Sequence, residues 1–130
     1  MYVLDTNTLI FFFKGEENVA KRLLSEPPYN IGIPVIVLYE LKVGILKSKS
    51  PQKLMQYLED IRQSTTILDF GEKAAVTAAE IRTQLEITGT PIGPYDILIA
   101  GICRAQGGIL VTHNTRAFSR VENLQIEDWY

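Results

Sequence analysis

The residues of this chain best suited to chemistry are three carboxylates, Asp5, Glu40 and Asp96. Asp96 follows Pro91-Ile92-Gly93-Pro94-Tyr95, in which two prolines and a glycine mark a turn. It opens an apolar run to Gln106 with helical spacing, interrupted by the small residues Ala100, Gly101 and Ala105. It therefore falls in the first turn of a mostly buried helix, where the helix dipole favours a negative charge. Alone, Asp96 would read as a helix-capping residue and Glu40 as a solvent-facing one. Three carboxylates converging on one place are different, because they repel one another without a cation between them. With one His and one Cys in the chain, hard oxygen ligands suit magnesium or manganese rather than zinc. Such ions orient a water, lower its pKa, and neutralise charge on a phosphate and its leaving oxygen. No nucleophile motif stands elsewhere, so the attacking group is that water.

Whether the three acids can meet depends on the elements that carry them. Tyr2-Val3-Leu4-Asp5 reads as a short buried strand. Thr6, Asn7 and Thr8 read as turn and cap residues, and Leu9 to Phe13 as a helix stopped by Gly15. Glu16 to Ser25 is amphipathic, with Val19, Leu23 and Leu24 on one face, and ends at Pro27-Pro28. Tyr29 to Ile33 is a second strand. Pro34 opens a helix over Val35 to Leu46, whose apolar side carries Ile36, Val37, Leu41 and Ile45, with Glu40 at its border. A helix over Lys53 to Gln63 shows the stripe Leu54, Tyr57, Leu58 and Ile61. Thr65 to Leu68 is a third strand and Gly71 to Thr88 a long Ala-rich helix. After the Asp96 helix, Gly107-Gly108 leads into the strand Ile109 to Thr112 and its exit turn His113-Asn114-Thr115. Ala117-Phe118 begins a single helical turn, and Leu124 to Glu127 is the last strand.

This alternation predicts an α/β domain over residues 1–130, with helices layered on both faces of a central, mainly parallel sheet. The ends of the first and fourth strands, Asp5 and Thr112, then lie on the carboxyl edge, where such sheets bind ligands. The Asp96 helix runs down to Gly107 before the fourth strand runs back up, so its N-terminus belongs to the same edge.

Composition limits the partners. The net charge of −2 supplies no global basic footprint, so binding to nucleic acid must rest on a local basic patch or on metal ions. A single Cys forms no internal disulfide, which fits a reducing cytoplasm. The run Val3 to Phe13 is broken by Asp5, Thr6, Asn7 and Thr8 and reads as neither signal peptide nor membrane span.

Four segments in order resemble the PIN-domain ribonucleases, and most closely the VapC toxins of bacterial toxin–antitoxin pairs. They are Asp5-Thr6-Asn7, Glu40 in its helix, Pro91-Ile92-Gly93-Pro94-Tyr95-Asp96, and Leu110-Val111-Thr112-His113-Asn114-Thr115-Arg116. The likeness runs on to Ile126-Glu127-Asp128-Trp129. It implies a PIN-like fold and magnesium-dependent cleavage of RNA, often transfer RNA, with manganese able to substitute. It implies that Asp5 and Asp96 bind the metal and Glu40 completes the acidic site. Asn7, Thr112, Asn114 and Arg116 take supporting or substrate-binding places. It also implies a VapB-like antitoxin, a homodimer, and toxin–antitoxin hetero-oligomers. Many PIN domains carry a fourth acid after the last core strand, but here Thr112, Asn114 and Thr115 stand there, which implies one firmly held ion.

The remaining candidates are weaker. His113 reads as a polar turn residue rather than a general acid, Cys103 and Tyr95 as core, and Arg104 as a phosphate contact. Phe11, Phe12 and Phe13 exceed what one helix face can bury, so a partner chain should cover part of them. Asn7 stands where an aspartyl-phosphate phosphatase needs Asp, and His113-Asn114 where a phospho-receiver domain needs Lys. A PIN-like module that only binds RNA or a partner is the non-enzymatic alternative.

Overall fold

The computed structural model describes all 130 residues. Five strands, β1 (Tyr2–Leu4), β2 (Ile31–Pro34), β3 (Thr66–Leu68), β4 (Ile109–Val111) and β5 (Gln125–Glu127), form one sheet in the order β3-β2-β1-β4-β5. Every pairing is parallel, so the sheet is wholly rather than mainly so. Parallel neighbours need crossover connections, and helices supply them. α1 (Thr6–Phe13) and α2 (Glu17–Ser25) join β1 to β2, and α3 (Val35–Leu46) and α4 (Pro51–Ser64) join β2 to β3. α5 (Glu72–Ile87) and α6 (Pro94–Gln106) join β3 to β4, and α7 (Thr115–Phe118) joins β4 to β5. The helices flank the sheet and close a core of 25 buried residues. Val3, Leu4, Ile33, Leu110 and Val111 are each fully buried, as strands covered on both faces must be. Burial of each large aliphatic side chain contributes about 1.5–3 kcal/mol.

Strand order positions the site. From β1 the chain builds outward through β2 to β3, then returns to lay β4 on the other side of β1. The reversal makes a crevice between β1 and β4 at the carboxyl edge. Leu4 pairs with Val111, and Val111 with Glu127. The residues that follow these three, Asp5, Thr112 and Asp128, therefore leave the sheet at one level.

Several boundaries differ from the sequence reading, each for a local reason. Thr6, Asn7 and Thr8 belong to α1 itself, because Asp5 caps that helix. Pro28–Asn30 is a 3₁₀ turn and Tyr29 is exposed, since Asn30 N–H donates to Pro27 O at 2.9 Å instead of joining the sheet. Pro51 starts α4 two residues early, a first-turn place where its missing N–H costs nothing. Leu24 is exposed, because Val19 and Leu23 alone make the buried stripe of α2. Gly107 ends α6 with φ of +66°, the left-handed cap that glycine adopts without strain. No helix is long and apolar enough to cross a membrane.

Candidate active site

Asp5 is the N-cap of α1. Its extended backbone (φ −83°, ψ 174°) turns the carboxylate back to accept the Thr8 N–H at 2.9 Å. Asp5 therefore caps its own helix, whereas Asp96 makes no capping bond at the start of α6. The crevice is stitched by the Asp5 N–H donating to Val111 O at 3.2 Å and the Thr8 hydroxyl donating to the same oxygen at 3.0 Å. Asp5 is only 5% exposed, and burial pushes its pKa above the usual carboxylate value. The Thr112 hydroxyl and the Thr8 N–H and hydroxyl oppose that rise, while the Asp128 charge adds to it.

Asp96 is the third residue of α6, which Gly93 caps without a side chain. The Asp96 carboxylate is half-buried and makes no side-chain hydrogen bond or ion pair. Burial raises its pKa first, then the charges of Glu40 and Asp5. The three acids therefore share one electrostatic site. Glu40 reaches it because Val37, Leu41 and Ile45 seat α3 in the core and leave Glu40 at the rim of the buried face. Its Oε1 accepts the Thr6 hydroxyl at 2.8 Å. None of the three acids pairs with Lys or Arg. No three His, Cys, Asp or Glu side chains are placed to close on one metal ion. The acids near this edge offer hard carboxylate oxygens, a donor type that suits a divalent cation of the magnesium class better than zinc.

The PIN domain family model matches residues 2–124. This chain belongs to the PIN-domain family, in its VapC branch. The tRNA(fMet)-specific endonuclease VapC of Salmonella typhimurium is 36% identical over 128 residues, covering 98% of this chain and 97% of that relative. Ribonuclease VapC2 of Haemophilus influenzae (strain Rd) is 37% identical over 131 residues, with 98% and 97% covered. The crystal structure of DNA-bound VapBC from Salmonella typhimurium superposes with a TM-score of 0.92 at 37% identity, covering 99% of this chain and 98% of that one.

The supporting residues of this PIN domain divide. Thr112 is fully buried against Asp5, and its hydroxyl also accepts the Asn114 N–H at 3.0 Å. Asn7, Asn114 and Arg116 are exposed, and their side chains make no hydrogen bond within the chain. Arg104 is not free for phosphate: it bonds Glu80 and the Glu122 carbonyl at 3.0 and 2.9 Å. Tyr95 is not core but exposed, edge-on to Tyr39 with their hydroxyls 3.4 Å apart. Burial pushes the Cys103 thiol up to about 12, which leaves it a core side chain.

Two residues beside the candidate acids escaped the sequence reading. Thr6 holds Glu40, and its place beside Asp5 in the Asp-Thr-Asn triplet was the available signal. Asp128 faces Asp5 electrostatically and accepts from His113 Nδ1 at 2.9 Å. Its signal lay in the closing Ile126-Glu127-Asp128-Trp129, and only the sheet register gives it meaning. The three phenylalanines separate. Phe12 and Phe13 line an apolar cleft of about 550 Å³ with Leu23, Leu24, Tyr57 and Ile61, while Phe11 packs against His113 and Tyr130.

Proposed function

We propose that this VapC-family ribonuclease is the toxin of a toxin–antitoxin pair and hydrolyses transfer RNA at the Asp5–Glu40–Asp96 edge with a magnesium ion, for which manganese substitutes. What supports this reading is that Asp96, half-buried and unpaired at the sheet reversal, feels the charges of Glu40 and Asp5, with no Lys or Arg to neutralise any of the three. Asp5 and Asp96 are the residues that would hold the ion. When bound, it supplies an activated water and neutralises charge on the phosphate. Glu40, with Oε1 held by Thr6, keeps Oε2 free and would orient the attacking water and take its proton. Asn7, Thr112 and Asn114 line the edge, and Arg116 meets a phosphate of the strand. The relative from Salmonella typhimurium is named for tRNA(fMet), which makes initiator tRNA the first substrate to try.

The cleft at Phe12 and Phe13 receives an apolar segment of a VapB-like antitoxin, within a hetero-oligomer built on a toxin homodimer. Expression of the chain alone should arrest growth, and co-expression of the adjacent small open reading frame should relieve it. The enzymatic test incubates purified protein with labelled initiator tRNA in magnesium, in manganese and in chelator. Cleavage in both metals and none in chelator is expected. Cleavage that persists in chelator would overturn the metal assignment, and binding without cleavage in either metal would leave the RNA-binding module as the better reading.

A further inference from the structure

Beside the acidic edge stands a cluster of rings that the hydrolytic chemistry does not use. The His113 and Tyr130 rings lie 4.4 Å apart at 35°, and both face solvent. Phe11 backs them, 4.6 Å from Tyr130 and 5.7 Å from His113. Asp128 fixes the pair. Its Oδ2 meets His113 Nδ1 at 2.9 Å and its Oδ1 accepts the Tyr130 N–H at 2.9 Å. The Tyr130 carbonyl is tied in turn to Asn18 Nδ2 at 3.0 Å. The His113 ring is fixed by its own bond to Asp128, and the Tyr130 ring lies against it and Phe11 with half its surface open, which leaves aromatic surface for a ligand that stacks.

We propose that the His113–Tyr130 pair, backed by Phe11, is a stacking platform for a nucleobase of the RNA strand next to the cleaved phosphate. The inference rests on the ribonuclease reading above. Continuity with the site supports it, since Thr112, the residue before His113, lies against Asp5. Arg116, three residues beyond His113, is exposed and unpaired, a free cation for the adjoining phosphate. Single-stranded RNA is held in this way, by bases stacked on aromatic and His rings with cations on the backbone. The apolar cleft suited to a protein segment lies instead at Phe12 and Phe13.

Tyr130 is anchored only through its main chain, so Tyr130→Ala removes the ring and keeps both anchors. The probe is a single-stranded oligoribonucleotide carrying 2-aminopurine at successive positions, bound in chelator so that no cleavage intervenes. Wild type and Tyr130→Phe should bind and quench the probe at one position. Tyr130→Ala and His113→Ala should each bind about tenfold more weakly and lose the quench. In magnesium, Tyr130→Ala should raise KM by a similar factor and leave kcat unchanged. Quenching by a protein that does not cleave would support the platform and sink the ribonuclease reading. Unaltered binding and quenching in both alanine variants would overturn the platform. So would a fall in kcat at constant KM, or a variant that weakens only the complex with the antitoxin.

Discussion

Helix α6 joins two unlike environments. In its middle, it lies so close to α5 that a Cβ on Gly101 would stand 2.7 Å from the Ala78 Cβ and 3.0 Å from the Ala78 Cα. Ile99, Ala100, Ile102 and Cys103 around it are buried. At its first turn, Asp96 has no hydrogen-bond partner and faces two other acids. The contrast shows what holds a charge in an unfavourable place. Nothing at the first turn fixes Asp96 through its own bonds. The packed body of the helix fixes it from behind, so the acid can stay half-buried and unpaired for a ligand to use.

The largest effect should separate the two environments outright. Asp96→Asn and Asp5→Asn each keep the shape and lose the charge, so metal-dependent RNA cleavage should fall by about 10³-fold, the several kcal/mol that a held metal supplies. Folding should survive in both, as checked by thermal melts. A variant that cuts RNA at the wild-type rate would remove that acid from the site. In the packed body the reverse should hold. Gly101→Val must push Ala78 or the α5 backbone aside, at a cost of about 3 kcal/mol. Denaturant melts should show that loss, while any folded fraction should still bind manganese. An unchanged midpoint would mean that α5 and α6 are looser than their spacing implies.

A smaller effect links metal to stability. An ion bound only to the folded state stabilises it by about 2.7 kcal/mol at a hundredfold excess over Kd. Magnesium should therefore raise the melting temperature of wild type and leave Asp96→Asn nearly unmoved. In chelator the pH dependence has a definite sign. Folding raises the pKa of Asp5 and Asp96 above 3.8, so the folded chain holds protons that the unfolded chain releases. Their contribution is fully present below the unfolded value and is lost as pH rises through the raised folded values. The melting temperature of Asp96→Asn should exceed that of wild type by a margin that widens across this window. A margin independent of pH would mean that Asp96 is not repelled there. The smallest effect concerns Thr6. Thr6→Val frees Glu40 and should lower cleavage about tenfold, in the range of an outer-shell partner, while Thr6→Ser restores it. Equal rates in all three proteins would leave Glu40 without need of its anchor.

Much of the fold was readable because it is locally encoded. Turn residues, prolines and apolar spacing located every helix and strand of the sheet, with errors at the ends. Those errors came from caps and turns that depend on one hydrogen bond, as at Asp5 and Asn30. The site was less complete. Asp5, Glu40 and Asp96 stood out by type and place, but Tyr95 was read as core and Arg104 as free. In each case the sequence shows an amphipathic side chain, and only the packing decides which end meets water.

The sequence by itself determined the element types, the turn that starts α6, and the presence of carboxylates rather than a His and Cys cluster as candidate ligands, since these depend on neighbours in the chain and on residue type. Tertiary structure alone decided which residues meet. Thr6 reaches Glu40 across 34 positions and His113 reaches Asp128 across 15, pairings that no local pattern records. The strand order β3-β2-β1-β4-β5 opens the crevice between β1 and β4, and its register sets Asp5, Thr112 and Asp128 at one height. The physical reason is that periodicity says which face of an element is buried, while strand order and register are settled by how all the buried faces fit together at once.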